Sequence, residues 1–244
     1  MTDSARPSRS GLESKLTFYK RLTVGLAILC VLLGLAVIAQ LTNGGEAVAH
    51  PESSASATSS ASEIASREED DYAAVGDIDA PVALVQWTDM RCPYCAAVHR
   101  ETIPTIIDEY VDKGLVRLEV RDVSFFGEQS ENAAVAARAA GAQGKFFEYL
   151  DVVYEAAPGN DHPDLPREKL ISFAEAAGVP DLAQFTADLD DPALREAAQQ
   201  STTDAQRLGV NAVPFFVAGD TALSGAQPLS VFRDFLDQAL EKAE

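Results

Sequence analysis

Two cysteines separated by two residues, Cys92 and Cys95, stand between a strand pattern and a helix pattern. The preceding residues 82–87 are mostly apolar and indicate a buried strand, whereas residues 96–100 favour a helix. Cysteines at such a junction can close a small disulfide and reopen it, which is typical of thiol–disulfide exchange rather than of a structural staple. The third cysteine, Cys30, lies far away, which excludes a small scaffold held together by disulfides.

Residues 22–41 form a stretch of 20 residues without a charge. As a helix with a rise of ~1.5 Å per residue, this stretch would span ~30 Å, the thickness of the hydrocarbon core of a bilayer. It therefore predicts a transmembrane helix, in which Cys30 is an ordinary apolar residue. A cleaved signal peptide with its cleavage site at Ala47-Val48-Ala49 remains an alternative, although the apolar region of such peptides usually has only about 7–15 residues.

The distribution of charge predicts the orientation of this helix. Residues 1–21 contain five basic and two acidic residues, and the positive-inside rule keeps such a tail in the cytoplasm. Of the 19 basic and 38 acidic residues of the chain, 14 and 36 then remain for the part beyond the membrane. An outer part this acidic argues against nucleic acid and anionic lipid surfaces as partners. We therefore predict a single-pass protein of the cell membrane with an extracytoplasmic domain.

Composition separates a tether from a folded domain. Residues 42–71 are rich in Ala, Ser and acidic residues and include Gly44-Gly45. So little apolar surface does not offset the entropy cost of ordering the chain, and we predict a disordered tether. From Tyr72 onward the composition is that of a globular domain, which places the domain at residues 72–244.

The first part of this domain predicts two parallel strands. Strand patterns at residues 82–88 and 115–123 flank a helix pattern over residues 92–111. Pro104 lies inside that helix pattern and predicts a kink, because proline lacks the backbone N–H that a helix needs. A strand–helix–strand unit of this length places its two strands side by side and parallel.

The rest of the domain predicts a helical insertion followed by a hairpin. Five helix patterns follow at residues 128–141, 144–156, 167–177, 182–189 and 192–208. A hairpin then comes from strands at residues 213–217 and 221–223, with Gly219-Asp220 as its turn, and a helix over residues 228–242 ends the domain. The prediction is an α/β fold whose core, residues 72–127 and 201–244, is split by an all-helical insertion at residues 128–200.

The position of Cys92 at the start of a helix has a chemical consequence. Unpaired backbone N–H groups and the helix dipole favour an anion there, which lowers the pKa of the thiol and makes Cys92 the attacking sulfur. Pro93 at the first helical position loses no hydrogen bond. Cys95, one turn further on, is then the more buried thiol that resolves a mixed disulfide.

The sequence resembles the DsbA-like branch of the thioredoxin superfamily over residues 72–244, in the membrane-anchored bacterial type. The resemblance is carried by Ala80-Pro81-Val82 before the strand and the cysteine pair, by the helical insertion after Phe125-Phe126-Gly127, and by the block at residues 209–217. It implies a thioredoxin-like fold with an all-helical insertion. It also implies protein disulfide oxidoreductase activity at Cys92 and Cys95.

The same resemblance implies roles for further residues. Pro214, preceded by Val213, corresponds to a cis-proline that lies beside the cysteine pair and helps to hold the substrate backbone. Pro93 and Tyr94 between the cysteines are expected to contact substrate as well.

One position departs from the family. Its members often carry a buried carboxylate six residues before the first cysteine, and this chain has Gln86 there. Gln86 itself, together with the nearby Asp89 and His99, is predicted to tune the pKa values of the two thiols.

Other sites remain as alternatives. Cys92, Cys95 and His99 have the spacing of three zinc ligands, but no fourth ligand is evident nearby, so we expect no metal. The Pro-Tyr dipeptide between the cysteines also occurs in glutaredoxins, against which the predicted anchor, the insertion and the acidic surface all argue. The sequence predicts no cofactor.

These observations favour an extracytoplasmic enzyme that oxidises cysteine pairs of exported proteins. Its clients would be reduced or misoxidised exported proteins, and a membrane redox partner would reset its disulfide. A disulfide reductase or isomerase of the same fold remains an alternative. A redox-inactive thioredoxin-like binding or chaperone module is the alternative from another class.

Overall fold

The computed structural model describes residues 61–243, so the predicted cytoplasmic tail and transmembrane helix lie outside the described residues. The strands are β1 (Ala74–Val75), β2 (Val82–Thr88), β3 (Val116–Asp122), β4 (Phe215–Ala218) and β5 (Thr221–Ser224). The helices are α1 (Ala61–Ile64), α2 (Pro93–Glu101), α3 (Ile103–Ile106), α4 (Glu128–Gly141), α5 (Phe146–Glu155), α6 (Arg167–Ala176), α7 (Leu182–Asp188), α8 (Pro192–Arg207) and α9 (Leu229–Ala243).

The five strands form one sheet in the order β1-β3-β2-β4-β5. Strands β2 and β3 are parallel, with Thr88 opposite Asp122 at their carboxyl ends, which confirms the predicted strand–helix–strand unit. Strand β4 runs antiparallel to β2, with Trp87 opposite Phe215, and β5 completes the predicted hairpin. Every residue of β2 is buried, because this strand lies at the centre of the sheet and helices cover both of its faces.

Alternate residues of β2 enter different cores. Leu84 belongs to the larger core, together with Cys95 of α2 and Phe232 of α9. Val85 and Trp87 point to the other face and form a smaller core with residues of α1, α8 and β4. The sheet therefore separates the helix that carries the cysteines from the face covered by α1 and α8.

The helix predicted over residues 92–111 is divided into three parts. Helix α2 ends at Glu101, and α3 then begins with Pro104 in its first turn. A π-helical turn over Ile107–Val111 completes the crossover to β3. The break lies near Pro104 because this residue has no N–H to donate to a carbonyl of the preceding turn.

The insertion consists of helices α4 to α8, close to the predicted ranges. Its predicted end at residue 200 is wrong, because α8 continues without a break to Arg207. The side chain of Asp191 accepts a hydrogen bond from the N–H of Ala193 and caps the start of α8.

The predicted disordered tether is wrong for residues 61–71, which we call the strap. The side chain of Glu119 on β3 is fully buried and accepts hydrogen bonds from the N–H groups of Ser66 (2.9 Å) and Arg67 (3.0 Å). Arg117 and Arg121 pair with the same carboxylate. The amino-acid composition did not predict that the strap is ordered. The strap is held by the buried carboxylate of Glu119, which lies elsewhere in the chain, and not by apolar residues of its own. Residues 42–60 lie outside the described part.

At its amino end the strap reaches the hairpin. The N–H of Ala61 donates to the carbonyl oxygen of Gly219 in the turn between β4 and β5, at 2.6 Å. Ala61 is buried in the smaller core, and Ile64 packs against that core. Residues 61–71 therefore belong to the domain, which does not begin at the predicted residue 72.

Over residues 61–243, none of the helices combines the length and the apolar character needed to cross a membrane.

Candidate active site

Both cysteines lie where β2 passes into α2. Cys92 is the N-cap residue of α2, with an extended backbone, and its N–H donates to the carbonyl oxygen of Asp89 at 3.0 Å. Pro93 is the first residue of the helix, where its fixed φ suits helical geometry and no N–H is missed. The pair is present as free thiols, Cys92 exposing 2% of its surface and Cys95 none.

The environment of Cys92 favours its thiolate. A hydrogen bond from the Cys95 thiol lowers the pKa of Cys92 to about 7, assisted by the backbone N–H groups of Cys95 and Tyr94. Burial acts in the opposite direction and so does the negative charge of Asp89, but both are outweighed. Cys92 is therefore substantially ionised at neutral pH, as a nucleophile in exchange requires.

Cys95 has the opposite character. It lies in the larger core, and burial raises the pKa of its thiol well above the ordinary value, with the adjacent Cys92 adding to the rise. In the reduced pair Cys95 therefore keeps its proton while Cys92 carries the charge. This difference is in the direction that the predicted division between an attacking and a resolving thiol requires.

Alkylation of Cys92 by iodoacetamide should follow this pKa. Because only the thiolate reacts, the rate should rise with pH, reach half its maximum near pH 7 and then level off. The largest contribution is the Cys95 hydrogen bond, so Cys95→Ala should move the midpoint upward. The measurement is the rate of alkylation of Cys92 against pH, followed by mass spectrometry. A midpoint in Cys95→Ala equal to that of the wild type would contradict the assignment of this hydrogen bond.

The loop before β4 lies against Cys92. The Val213–Pro214 peptide bond is cis, as the family resemblance implied, and the Cys92 thiol donates to the carbonyl oxygen of Val213 at 3.5 Å. Pro93 and Pro214 are buried, Val213 is half-buried, and Tyr94 is 64% exposed. Tyr94 therefore offers the largest accessible surface among the four predicted substrate-contacting residues.

Gln86 and Asp89 take different positions near the pair. Gln86 is buried in the middle of β2, and it alternates onto the same face as Thr88. Asp89 is buried after the end of β2, where its carboxylate accepts hydrogen bonds from the N–H groups of Arg91 and Phe125, both at 2.8 Å. Burial raises the pKa of Asp89 in spite of these bonds. Asp89 therefore ties the turn before Cys92 to the loop before α4.

His99 is not assembled with the thiols. Its Nε2 lies 2.7 Å from Oδ1 of Asp151 on α5, and burial lowers the pKa of its imidazole. In residues 61–243, no three side chains of the His, Cys, Asp and Glu types are grouped as metal ligands. The structure thus does not bring together the three zinc ligands that the spacing allowed.

A second set of contacts around the site was not predicted from the sequence. The guanidinium of Arg91, next to Cys92, donates to the carbonyl oxygens of Pro163 (2.9 Å) and Phe126 (2.7 Å). His162 Nδ1 lies 2.7 Å from the carbonyl oxygen of Arg91, and its ring packs on that of Phe126 at 4.1 Å. The only signal available in the sequence was a charged residue adjoining the first cysteine. These contacts fix the loop before α4 and the loop of the insertion around His162 beside the cysteine pair.

A thioredoxin-like sheet, a cysteine pair at a helix start and a cis-proline loop beside it define a thiol–disulfide oxidoreductase. The sequence profile of the family described as thioredoxin matches residues 68–238, and the chain belongs to this family.

Individual relatives agree with this assignment. The probable disulfide bond formation protein D of Bacillus cereus is 30% identical over 152 residues, which cover 61% of this chain and 70% of that protein. A crystal structure of oxidised BdbD from Bacillus subtilis shares the fold with a TM-score of 0.65 at 20% identity, covering 69% of this chain and 92% of the other. A thioredoxin-like oxidoreductase from Silicibacter pomeroyi has a TM-score of 0.58 at 28% identity, covering 69% and 91%. The chain is thus a DsbA-like thiol–disulfide oxidoreductase, not a redox-inactive binding module.

Proposed function

We propose that this enzyme works in the oxidising direction, forming disulfides in exported proteins while it is anchored in the cell membrane by residues 22–41. The relative from Bacillus cereus is named for disulfide bond formation, which supports this direction. The uncharged stretch and the basic tail before it support the extracytoplasmic location. The proposed clients are reduced or misoxidised exported proteins.

The reaction would proceed in two exchanges. A client thiolate attacks the Cys92 sulfur of the oxidised enzyme, the Cys92–Cys95 bond breaks, and Cys95 leaves as a thiolate that takes up a proton. A second client thiolate then attacks the client sulfur of the mixed disulfide and releases Cys92 as a thiolate. The client loses two electrons and the enzyme gains them. A membrane redox partner would accept these electrons to restore the enzyme disulfide.

The observation that carries the proposal is the stabilisation of the reduced pair. Three hydrogen bonds, from the Cys95 thiol and from the N–H groups of Cys95 and Tyr94, favour the Cys92 thiolate. Each exists in full only when the disulfide is open and Cys92 is charged. Stabilising the reduced enzyme raises its reduction potential, so that the oxidised enzyme more readily passes its disulfide to a client.

One observation favours the reductase as a second candidate. The pKa of about 7 for Cys92 resembles that of thioredoxin, ~7, rather than the ~3.5 of the strong oxidant DsbA. The extent of thiolate stabilisation thus separates the two directions, and the reduction potential measures it directly.

The reduction potential of the full-length protein tests the direction. We expect equilibration in glutathione buffers to give a value between about −120 and −180 mV, the range of oxidases and isomerases. The oxidised protein should also introduce disulfides into a reduced, unfolded client. A potential near −270 mV, the value of thioredoxin, would overturn the oxidising direction and support the reductase.

The same preparation tests the anchor. The protein should be extracted from membranes only by detergent, and its intact mass should include residues 22–41. A mature chain that begins after Ala49 would show that the apolar stretch is a signal peptide instead.

A further inference from the structure

An exposed histidine of the insertion is fixed beside the cysteine pair. Nδ1 of His162 lies 2.7 Å from the carbonyl oxygen of Arg91, which belongs to the peptide bond that leads into Cys92. The ring packs on that of Phe126 with the centroids 4.1 Å apart. The guanidinium of Arg91 donates to the carbonyl oxygens of Phe126 and of Pro163, the residue after the histidine. The imidazole therefore has a defined position next to the peptide bond before the nucleophile.

The hydrogen bond to Arg91 decides which ring nitrogen carries a hydrogen. A carbonyl oxygen only accepts, so Nδ1 of His162 is the donor. In the neutral ring, Nε2 is then an acceptor with a lone pair. Within residues 61–243 this nitrogen has no hydrogen-bond partner, and His162 is exposed. Nε2 is therefore available to a group that comes from outside the domain.

Cys92 lies between two loops that flank the junction of β2 and α2. Because β3 and β4 are the neighbours of β2, the loop after β3 lies on one side of this junction and the loop before β4 on the other. The loop before β4 contributes Val213, whose carbonyl oxygen accepts from the Cys92 thiol at 3.5 Å. The loop after β3 contributes Phe126, on which His162 packs. A client sulfur that reaches Cys92 thus enters a site with the cis-proline loop on one side and the imidazole on the other.

Exchange at Cys92 requires that the client thiol lose its proton. Only a thiolate attacks a disulfide, and an ordinary cysteine thiol, with a pKa of ~8.5, is only ~3% ionised at neutral pH. Asp89 is buried and both of its carboxylate oxygens accept backbone hydrogen bonds, and the amide of Gln86 is not a base. An imidazole, by contrast, exchanges protons near neutral pH. His162 combines this chemistry with an exposed position beside the pair.

We propose that His162 is a catalytic residue whose Nε2 accepts the proton of the client thiol as the client sulfur attacks Cys92. The client sulfur bonds to the Cys92 sulfur, the Cys92–Cys95 bond breaks, and Cys95 leaves as a thiolate with the electron pair of that bond. His162 passes its proton to the solvent, and Cys95 takes one up. In the reverse exchange the imidazolium returns a proton to the departing client sulfur. The inference rests on exchange at Cys92 and not on its direction.

The surroundings of the ring are compatible with a positive charge on it. The segments that contact the ring carry the charged side chains of Asp89, Arg91, Glu128, Asp161 and Asp164. The carboxylate of Asp161 accepts a hydrogen bond from the backbone N–H of His162 at 2.8 Å. Because carboxyl groups outnumber the one guanidinium, the imidazolium formed by proton transfer does not lie in a cationic environment.

The variant His162→Asn separates the base from the hydrogen bond to Arg91. The asparagine amide can donate in place of Nδ1, but it has no atom that takes a proton from a thiol. The oxidised full-length protein is mixed with an excess of a peptide that contains one cysteine, and opening of the Cys92–Cys95 disulfide is followed by acid quench, alkylation and mass spectrometry. At about pH 7 the variant should open about 10-fold more slowly than the wild type, below the ~30-fold that complete ionisation of the client thiol would give. At about pH 9 the two rates should agree within about twofold, because the client thiol is then largely ionised without help.

Two further variants and one further reaction serve as controls. His162→Ala removes both the base and the donor to Arg91, and it should be at least as slow as His162→Asn. Asp164→Asn is the matched control, because it introduces the same amide at an exposed residue of the same loop and keeps an acceptor for the side chain of Gln129. Its rate should be that of the wild type. Alkylation of Cys92 by iodoacetamide involves no client proton, so His162→Asn should keep the wild-type midpoint.

Several outcomes would overturn the proposal. A wild-type rate in His162→Asn at about pH 7 would do so, and a slow His162→Ala beside it would leave His162 only a positioning role through Arg91. Slowing by the same factor at both pH values would also contradict a base, which matters only while the client thiol is protonated. Asp164→Asn as slow as His162→Asn would assign the effect to the loop and not to the imidazole. If the peptide does not open the wild-type disulfide at either pH, the exchange activity on which the inference rests is itself missing.

Discussion

Cys92→Ser should reduce thiol–disulfide exchange to the uncatalysed rate. The thiolate is the nucleophile in this chemistry, and a serine hydroxyl neither ionises near neutral pH nor forms a disulfide. The hydrogen bonds that lower the pKa of the Cys92 thiol to about 7 therefore cannot produce a reactive anion at the serine of the variant. Oxidation of a reduced, unfolded client by the full-length protein, followed by the loss of free thiols, measures the effect.

Cys95→Ser is the matched comparison for this variant. The variant keeps Cys92, which should still attack a client that contains a disulfide. The enzyme should then accumulate as a mixed disulfide with this client, because no second thiol is present to release it. Gel electrophoresis without reductant would show this species in Cys95→Ser and not in Cys92→Ser. Client oxidation by Cys92→Ser at the wild-type rate would refute the assignment of Cys92 as the nucleophile.

Glu119→Ala should destabilise the fold by about 3 to 5 kcal/mol, the effect of removing one partner from a buried ion pair. The variant leaves Arg117, itself almost fully buried, without its carboxylate partner. It also removes the acceptor for the N–H groups of Ser66 and Arg67 in the strap. Urea unfolding followed by circular dichroism would give the loss in free energy of unfolding.

The rate of trypsin cleavage measures whether the strap stays in place. The guanidinium of Arg67 donates to the carbonyl oxygens of Ile78 and Ala80, which protects the following peptide bond while the strap is in place. Cleavage after Arg67 should therefore accelerate in Glu119→Ala. Glu131→Ala is the control, since Glu131 pairs with Arg195 in a partly exposed position and should lose no more than about 1 kcal/mol. Equal stability losses in the two variants would contradict the role given to the buried network.

Local patterns in the sequence were sufficient for most of the fold. The apolar run of β2 and the helical spacing of α4 to α9 depend on residues close together in the chain, so their ranges were predicted to within a few residues. The strap and β1 were missed because each is held by β3, Ala74 pairing with Glu119 across the sheet. Those contacts join residues about 50 positions apart, and no local pattern reports them.

The site divides in the same way. Cys92, Cys95 and Pro214 were predicted because a short motif or a family block marks each of them. Arg91 and His162 lie 71 positions apart and meet only in the folded domain, so no local pattern in the sequence predicts their contact. Asp89 was predicted as a titratable neighbour, but its ties to Arg91 and Phe125 appear only in three dimensions.

The hydrogen bond between Ala61 and Gly219 places the first described residue at one end of the sheet. Gly219 follows β4 at the end where Leu84 of β2 lies opposite Ala218, whereas Pro214 and the cysteines lie at the other end of these strands. The five β2 residues from Leu84 to Thr88 separate the two ends by ~13 Å along the strand. Cys92 therefore lies at the opposite end of the sheet from Ala61, the first residue that the structure describes, so the surface around the reacting sulfur is separate from the surface where the described chain begins.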